Sequence, residues 1–252
     1  MEVGRSGKEP GIRAGIIVQA RMASIRLPGK VLMPVSTGNL FEILVRRLRL
    51  SGMPVILATS QLHSNDPLVE TAARMGMDYY RGSEEDVLGR YYETAKAFDL
   101  QIIVRATGDN PLLDGRLVRM HVDEYIRSGK DRLYMSTHIN KTFPDGLSFE
   151  IFNFQMLEEA NRNGRSLKER EHVTPYFYTN PGLFDIQPIV YKKDKSADRL
   201  TVDTEDDFRL VKTLVEDFQA DELGYEEIMG IMDQHPNLSG INASVQQKKW
   251  FE

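Results

Sequence analysis

Twelve residues near the start of the chain carry the most chemistry per position: Gln19-Ala20-Arg21-Met22-Ala23-Ser24-Ile25-Arg26-Leu27-Pro28-Gly29-Lys30. Three cations and a serine share this stretch with a Pro-Gly pair. Arginine offers a fork of N–H donors to phosphate oxygens, and lysine a mobile point charge, so a polyanion is the natural partner. Gly29 allows backbone to approach a phosphate with no Cβ in the way. Two carboxylates complete the picture. Asp109 follows an apolar run in Thr-Gly-Asp-Asn-Pro, and Asp203 stands in Thr-Val-Asp-Thr-Glu-Asp. A pair of acids facing a basic loop suits Mg²⁺, which takes few protein carboxylates and completes its octahedron with water and substrate phosphate. Either acid alone could instead be a turn or cap residue.

The elements around these residues have a readable pattern. The apolar run from Ala14 to Val18 predicts a buried strand, so the basic loop leaves its carboxyl end, where open α/β sheets bind ligands. Asn39 predicts the cap of a helix from Leu40 to Leu50. Pro54 to Thr59 predicts a second strand, and Asp66-Pro67 the cap and first residue of a helix to Met75. A strand from Asp78 to Arg81 leads to Ser83 as cap of a helix to Phe98. A fourth strand, Gln101 to Ala106, precedes a helix capped by Asp114 and running to Ser128. Repeated strand–helix alternation implies right-handed crossovers and a parallel sheet.

The second half is less regular. Strands are expected at Arg132 to Thr137, Phe143 to Phe152, Leu183 to Tyr191 and Arg199 to Val202. Asn153 and Gly164 bracket a helix, and Ser166 with Glu169 forms a capping box for a segment through Tyr178. Thr204 caps a helix through Phe218, and a last helix covers Glu222 to Met232. The organisation expected is a disordered tail over 1–13, one α/β domain over 14–235 with an acceptor and dimer subregion near 132–191, and a tail over 236–252 without assigned structure.

Composition narrows the function classes. The net charge of -5, with no basic block, argues against general nucleic-acid binding. The absence of cysteine excludes disulfides, thiolate catalysis and Cys-ligated zinc. No apolar run approaches a membrane span and no signal-peptide core opens the chain, so a cytoplasmic protein is expected. His63, His121, His138 and His235 lack metal-cluster spacing, whereas His172 could contact an acceptor or pack within a helix. The methionines read as core filler, and Trp250-Phe251 as a dock for a partner subunit or a frayed end.

The segment from Gln19 to Lys30 also resembles the opening signature of the cytidylyltransferases that make CMP-activated acid sugars. Among these it is similar to the spore coat polysaccharide biosynthesis protein F branch, whose members resemble CMP-Kdo synthetase. Arg81 to Leu88, Arg105 to Pro111, Glu171 to Tyr176 and Arg199 to Asp206 extend the resemblance in order along the chain. It implies a Rossmann-like, GT-A-like nucleotide-diphosphosugar transferase fold. The central sheet would be mostly parallel, with helices on both faces and a small β-rich insertion. It further implies that Arg21, Ser24 and Lys30 hold the triphosphate of CTP and that Asp109 and Asp203 hold Mg²⁺. Arg21, Lys30, Asp109 and Asp203 would then be the catalytic set. Gln19, Ala20, Gly29, Arg105, Thr107 and Gly108 would complete the nucleotide site, with Ala58, Thr59, Arg81 and Ser83 nearby. Asp145, Glu150, Glu171, His172 and Tyr176 would meet a sugar or acid-sugar acceptor, and the protein would be a homodimer. Ser148 stands where relatives usually carry Asp, so the resemblance names the nucleotide and leaves the acceptor open. Two other readings remain at this point, a GT-A-like glycosyltransferase and a non-catalytic nucleotide-binding subunit. The Asp-x-Asp metal motif of the former is absent at Asp109.

Overall fold

The computed structural model describes residues 12–246, so the expectations for 1–11 and for Trp250-Phe251 lie outside the described residues. In chain order the strands are β1 (Ala14–Gln19), β2 (Pro34–Val35), β3 (Gly38–Asn39), β4 (Val55–Ser60), β5 (Asp78–Gly82), β6 (Ile102–Thr107), β7 (Leu133–Ser136), β8 (Glu150–Asn153) and β9 (Asp185–Pro188). The helices are α1 (Leu40–Arg49), α2 (Asp66–Arg74), α3 (Val87–Ala97), α4 (Gly115–Ser128), α5 (Phe154–Asn163), α6 (Leu167–His172), α7 (Pro175–Tyr178), α8 (Glu205–Phe218), α9 (Tyr225–Gln234) and α10 (Asn237–Gly240).

Seven strands form one sheet in the order β5-β4-β1-β6-β8-β7-β9. The first four are parallel, as the strand–helix alternation requires. The β-rich portion continues the same sheet: β8 runs antiparallel to both β6 and β7, and β9 parallel to β7. Strand alternation sends β1 side chains to opposite faces. Ile16 and Val18 join a core with residues of α1, α4, α8 and α9, whereas Ile17 joins a second core with residues of α3 and α5. Both faces of the central strands are buried, which is why they read as unbroken apolar runs.

Local capping chemistry starts most helices where the sequence indicates. Asn39 and Glu42 form a reciprocal capping box at α1, and Ser166 with Glu169 another at α6. Asp114, Asn153 and Thr204 cap α4, α5 and α8. Several expectations are corrected. Asp86, not Ser83, caps α3, and the Ser83 hydroxyl instead accepts the Asp86 N–H at 3.0 Å, adding a turn before the helix. Asp66 lies inside α2, with Asn65 before it. The segment through Tyr178 breaks into α6 and α7, because Val173 adopts φ 71° and Thr174 N–H bonds back to the His172 carbonyl at 2.8 Å. That is a γ-turn, strained for a β-branched residue. The last long helix is shifted to Tyr225–Gln234, and the tail expected to lack structure contains α10.

Two expected strands shrink for one reason. Only Glu150–Asn153 of the 143–152 segment pairs as a strand, and no strand forms over 199–202. Instead the two stretches run together as a single parallel bridge between Asp145 and Arg199. Asp145 N–H bonds to the Asp198 carbonyl at 3.2 Å, and Leu200 N–H to the Asp145 carbonyl at 2.6 Å. Gly146, at φ 103°, makes this approach possible: a Cβ there would lie 2.3 Å from the Leu200 carbonyl carbon. Gly146→Ala should therefore cost about 2 kcal/mol or more, from the backbone conformation and the clash together. Urea denaturation of the two proteins measures it, and an unchanged midpoint would contradict this view of the seam.

Candidate active site

The loop after β1 is held from both ends. Met22 N–H donates to Asn65 Oδ1 at 2.7 Å, and Gly29 N–H to the Met22 carbonyl at 3.0 Å. Gly29 takes a left-handed conformation, φ 71°, and starts a 3-10 turn over Lys30–Leu32 that turns Lys30 inward. At the end of β6, Gly108 N–H reaches the Gln19 carbonyl at 2.8 Å. A Cβ on Gly108 would fall 2.6 Å from that of Ala20, so only glycine lets the two strand ends come this close. The Asp109 carbonyl then accepts from Val202 N–H at 2.8 Å and from the Thr201 hydroxyl at 3.1 Å. Backbone bonding thus sets Asp203 beside Asp109, although 94 positions separate them in the numbering.

The Lys30 ammonium closes the arrangement, 2.7 Å from Asp203 Oδ1 and 3.1 Å from Asp109 Oδ2. Burial works to lower its pKa, but the two carboxylates outweigh burial and hold it above the ordinary lysine value. Asp203 also receives Arg26 at 2.7 Å and Arg199 at 2.8 Å. Burial alone would raise the Asp203 pKa, yet Lys30, Arg26 and Arg199 push it down to about 2. Asp109 accepts the Thr107 hydroxyl at 2.6 Å. Arg21 pairs with Glu84 at 2.6 Å across the mouth. Every cation of the loop therefore holds a carboxylate of this chain.

These groups line one end of a cleft of about 1150 Å³. The other end is walled by a buried polar cluster centred on Glu150. Glu150 pairs with Arg105 and accepts hydrogen bonds from the Tyr134 hydroxyl and, at 2.7 Å, from the Thr174 hydroxyl. Burial works to raise the Glu150 pKa, and Arg105 more than offsets it, leaving the carboxylate ionised. Burial lowers the pKa of His138 against the pull of Glu150, so this imidazole is neutral at neutral pH. Tyr178, on the same wall, is pushed up to about 12 by burial and by Glu150.

Most of the expected residues do meet. Gln19, Ala20, Arg21, Ser24, Lys30, Arg105, Thr107, Gly108, Asp109, Asp145, Glu150, Glu171, His172 and Asp203 all line the cleft. Six others do not. Gly29, Ala58 and Thr59 shape the backbone from outside the lining. Arg81 turns away to the Ser60 carbonyl at the end of β4, the Leu62 carbonyl beyond it and Asp66 at the start of α2. Ser83 lines a separate cavity. Tyr176 packs edge-on to Phe184 and accepts from Asn163, and Tyr178, two residues further along α7, takes the cleft instead. Glu84, His138 and Arg199 were not among the expected site residues, and Arg26, counted among the loop cations, was not expected on Asp203. Arg26 and Arg199 carried a signal, since the first sits within the basic loop and the second four residues before Asp203.

A mostly parallel sheet with a basic loop and two acids gathered beyond its carboxyl edge is the arrangement of a nucleotidyltransferase, and the comparisons narrow it further. The cytidylyltransferase family model matches residues 15–250, and the chain belongs to that family. An uncharacterised protein of Methanocaldococcus jannaschii is 38% identical over 241 residues, 94% of this chain and 97% of the relative. The spore coat polysaccharide biosynthesis protein SpsF of Bacillus subtilis is 32% identical, over 88% of this chain and 95% of its own. A cytidylyltransferase structure from Leptospira borgpetersenii superposes with a TM-score of 0.89 at 30% identity, covering 94% of this chain and 100% of the other. CMP-Kdo synthetase, solved with CTP, shares the fold at a TM-score of 0.61 and 17% identity, over 84% of this chain and 100% of that one. The resemblance read from the motifs is confirmed at the level of family and fold.

The depressed pKa of Asp203 has a consequence for acid stability. A carboxylate held below its unfolded value stabilises the fold above about pH 4. That contribution disappears as pH falls through about 2, where the folded carboxylate takes up its proton. Asp203→Asn should therefore melt below the parent at pH 7, with the difference narrowing steadily between pH 4 and pH 2. A gap independent of pH across that range would show that the carboxylate charge is not what stabilises the site.

Proposed function

We propose that the protein transfers CMP from CTP to a sugar or acid-sugar acceptor and releases pyrophosphate, in the biosynthesis of a cell-surface or spore-coat-type polysaccharide. The observation that carries this reading is the convergence of Asp109 and Asp203, from two separate chain segments, on the ammonium of Lys30 beneath a basic loop. Membership of the cytidylyltransferase family supports the nucleotide, and the name of the Bacillus relative supports the pathway.

The donor set fits a hard divalent ion. Two carboxylates meet at one point already occupied by a positive charge, and among the described residues no cluster of three or more His, Cys, Asp or Glu could form a closed cage. Magnesium is the ion of choice for such a sparse oxygen site, held by Asp109 and Asp203. When bound, it supplies positive charge that offsets the charge developing on the phosphoryl oxygens. The chain does the rest by placement. Arg21, Ser24 and Lys30 grip the triphosphate, and Arg26 holds Asp203 oriented. An acceptor oxygen attacks the α-phosphorus, its new P–O bond forms, and the bond to the pyrophosphate oxygen breaks. Arg21 and Lys30 then stabilise the departing pyrophosphate. Asp145, Ser148, Glu171 and His172 line the half of the cleft left for the acceptor.

We place the enzyme in the cytoplasm as a homodimer, acting on small molecules. The acidic net charge supports the absence of a nucleic-acid partner, and among the described residues no helix is long and apolar enough to cross a membrane.

Pyrophosphate release with each nucleoside triphosphate and a panel of acid sugars tests the reading: CTP should be strongly preferred, and equal use of all four would sink it. Asp109→Asn keeps the shape of the carboxylate but not its charge. It should lower turnover by about a hundredfold or more with little change in melting temperature. The double change with Asp203→Asn should cost little more than either alone, since residues acting as one unit are non-additive. A normally folded Asp109→Asn protein working at the parent rate would refute the metal site.

A further inference from the structure

A second cavity, of about 500 Å³, lies behind the segment that carries Glu84. The Asp86–Arg170 ion pair lines both cavities and forms the partition between them. Three arginines from two stretches of chain line the rear cavity: Arg90 on α3, and Arg165 and Arg170, five positions apart, before and on α6. Two carboxylates share the lining. Asp86 is already neutralised, by Arg170 and by the N–H of Gly89 at 2.9 Å. Glu93 lies at the exposed rim.

Arg90 is the unusual member. Its side chain is buried, with the residue only 3% exposed, and the Glu84 and Asp86 carboxylates act on it through their charge without forming an ion pair. One terminal nitrogen donates to the Ser83 carbonyl, and Nε has no hydrogen-bond partner. Leaving a buried cationic donor unmatched is expensive, and most buried arginines are paired. Burial accordingly lowers the pKa of this group. The main cleft does not use Arg90, so the reaction proposed above gives no reason for it.

We propose that the rear cavity is a binding site for the phosphate group of a small ligand, anchored on Arg90 and gripped by Arg165 and Arg170. A planar carboxylate needs only one guanidinium fork, whereas a tetrahedral dianion can accept from three that approach from different directions. The volume leaves room for a sugar-sized remainder beside the phosphate. Occupancy would reach the main cleft by contact. Arg90 holds the Ser83 carbonyl whose neighbour Glu84 pairs with Arg21, and Arg170 belongs to the helix that lines the acceptor half.

A phosphate titration of the parent protein followed by amide NMR tests this, with inorganic phosphate as the probe and the amides of Ala20 and Gly108 reporting separately on any binding at the basic loop. The amides of Gly89, Arg90 and Gly164 should shift saturably, and adding Arg165→Ala, an exposed position, should weaken the affinity about tenfold or more. Arg90→Lys, which keeps the charge and loses Nε, should weaken it as well, and its melting curve reports whether the fold survives. Shifts confined to Ala20 and Gly108, shifts reproduced by chloride at equal ionic strength, or equal binding of acetate would each overturn the proposal. None of these readouts depends on which reaction the main cleft performs.

Discussion

The interaction on which the rest of this site depends is the one between the Lys30 ammonium and the carboxylates of Asp109 and Asp203. It joins three stretches of chain that share no secondary-structure element: the loop after β1, the end of β6 and the lead into α8. Two carboxylates set side by side repel each other, and in a partly buried place that repulsion would raise a pKa or spread the loops. A cation between them reverses the sign. Its own burial is tolerated because the two charges outweigh the lost hydration, which the raised lysine pKa expresses. Arg26 and Arg199 add further positive charge on Asp203, and Asp207 takes the other edge of Arg199 at 2.9 Å. The site is thus an alternating lattice of charges, stable because few members lack an opposite neighbour.

The opposite wall of the cleft solves the same problem differently. Glu150 and Arg105 are both buried, and an isolated pair of this kind barely repays its desolvation. Hydrogen bonds from Tyr134 and Thr174 satisfy the remaining carboxylate lone pairs. Glu150 had been expected to contact an acceptor directly. The structure gives its oxygens to three partner groups of the protein, Arg105, Tyr134 and Thr174, and these bonds fix the wall's shape. Thr174 follows the strained turn at Val173, and its bond to Glu150 therefore also locks the position of α6.

The sequence disclosed the sheet more fully than it disclosed the contacts. Strands β1, β4 and β6 are legible because both faces are buried and their apolar runs are unbroken. Most caps are legible because an Asn, Asp, Ser or Thr precedes each helix. What the sequence conceals is contact between distant stretches. The seam between Asp145 and Arg199 is a single bridge with no periodicity, so each side reads as a strand when taken alone. Arg81 sits within a motif and still faces away, since a strand alternates its side chains and motif membership does not say which face is the cleft. Tyr176 and Tyr178 differ only in the same respect. Ser83 is the expected cap of α3, and Asp86 takes its place because one backbone turn intervenes before the helix.

The pairing of every loop cation with a carboxylate bears on how the proposed triphosphate would be held. Arg21 loses little when it leaves Glu84, because its own side chain is half exposed and surface pairs contribute little in water. Lys30 is the opposite case, with its side chain only 10% exposed between two acids. A substrate phosphate competes poorly for Lys30 while both acids keep their full charge. A divalent ion held by Asp109 and Asp203, as proposed, would offset the charge of those acids and leave the ammonium available to phosphate. Metal and nucleotide binding would then be coupled through one lysine, each favouring the other by linkage. On that reading the basic loop would prefer the metal–nucleotide complex to the bare nucleotide, because charge balance at three residues requires it.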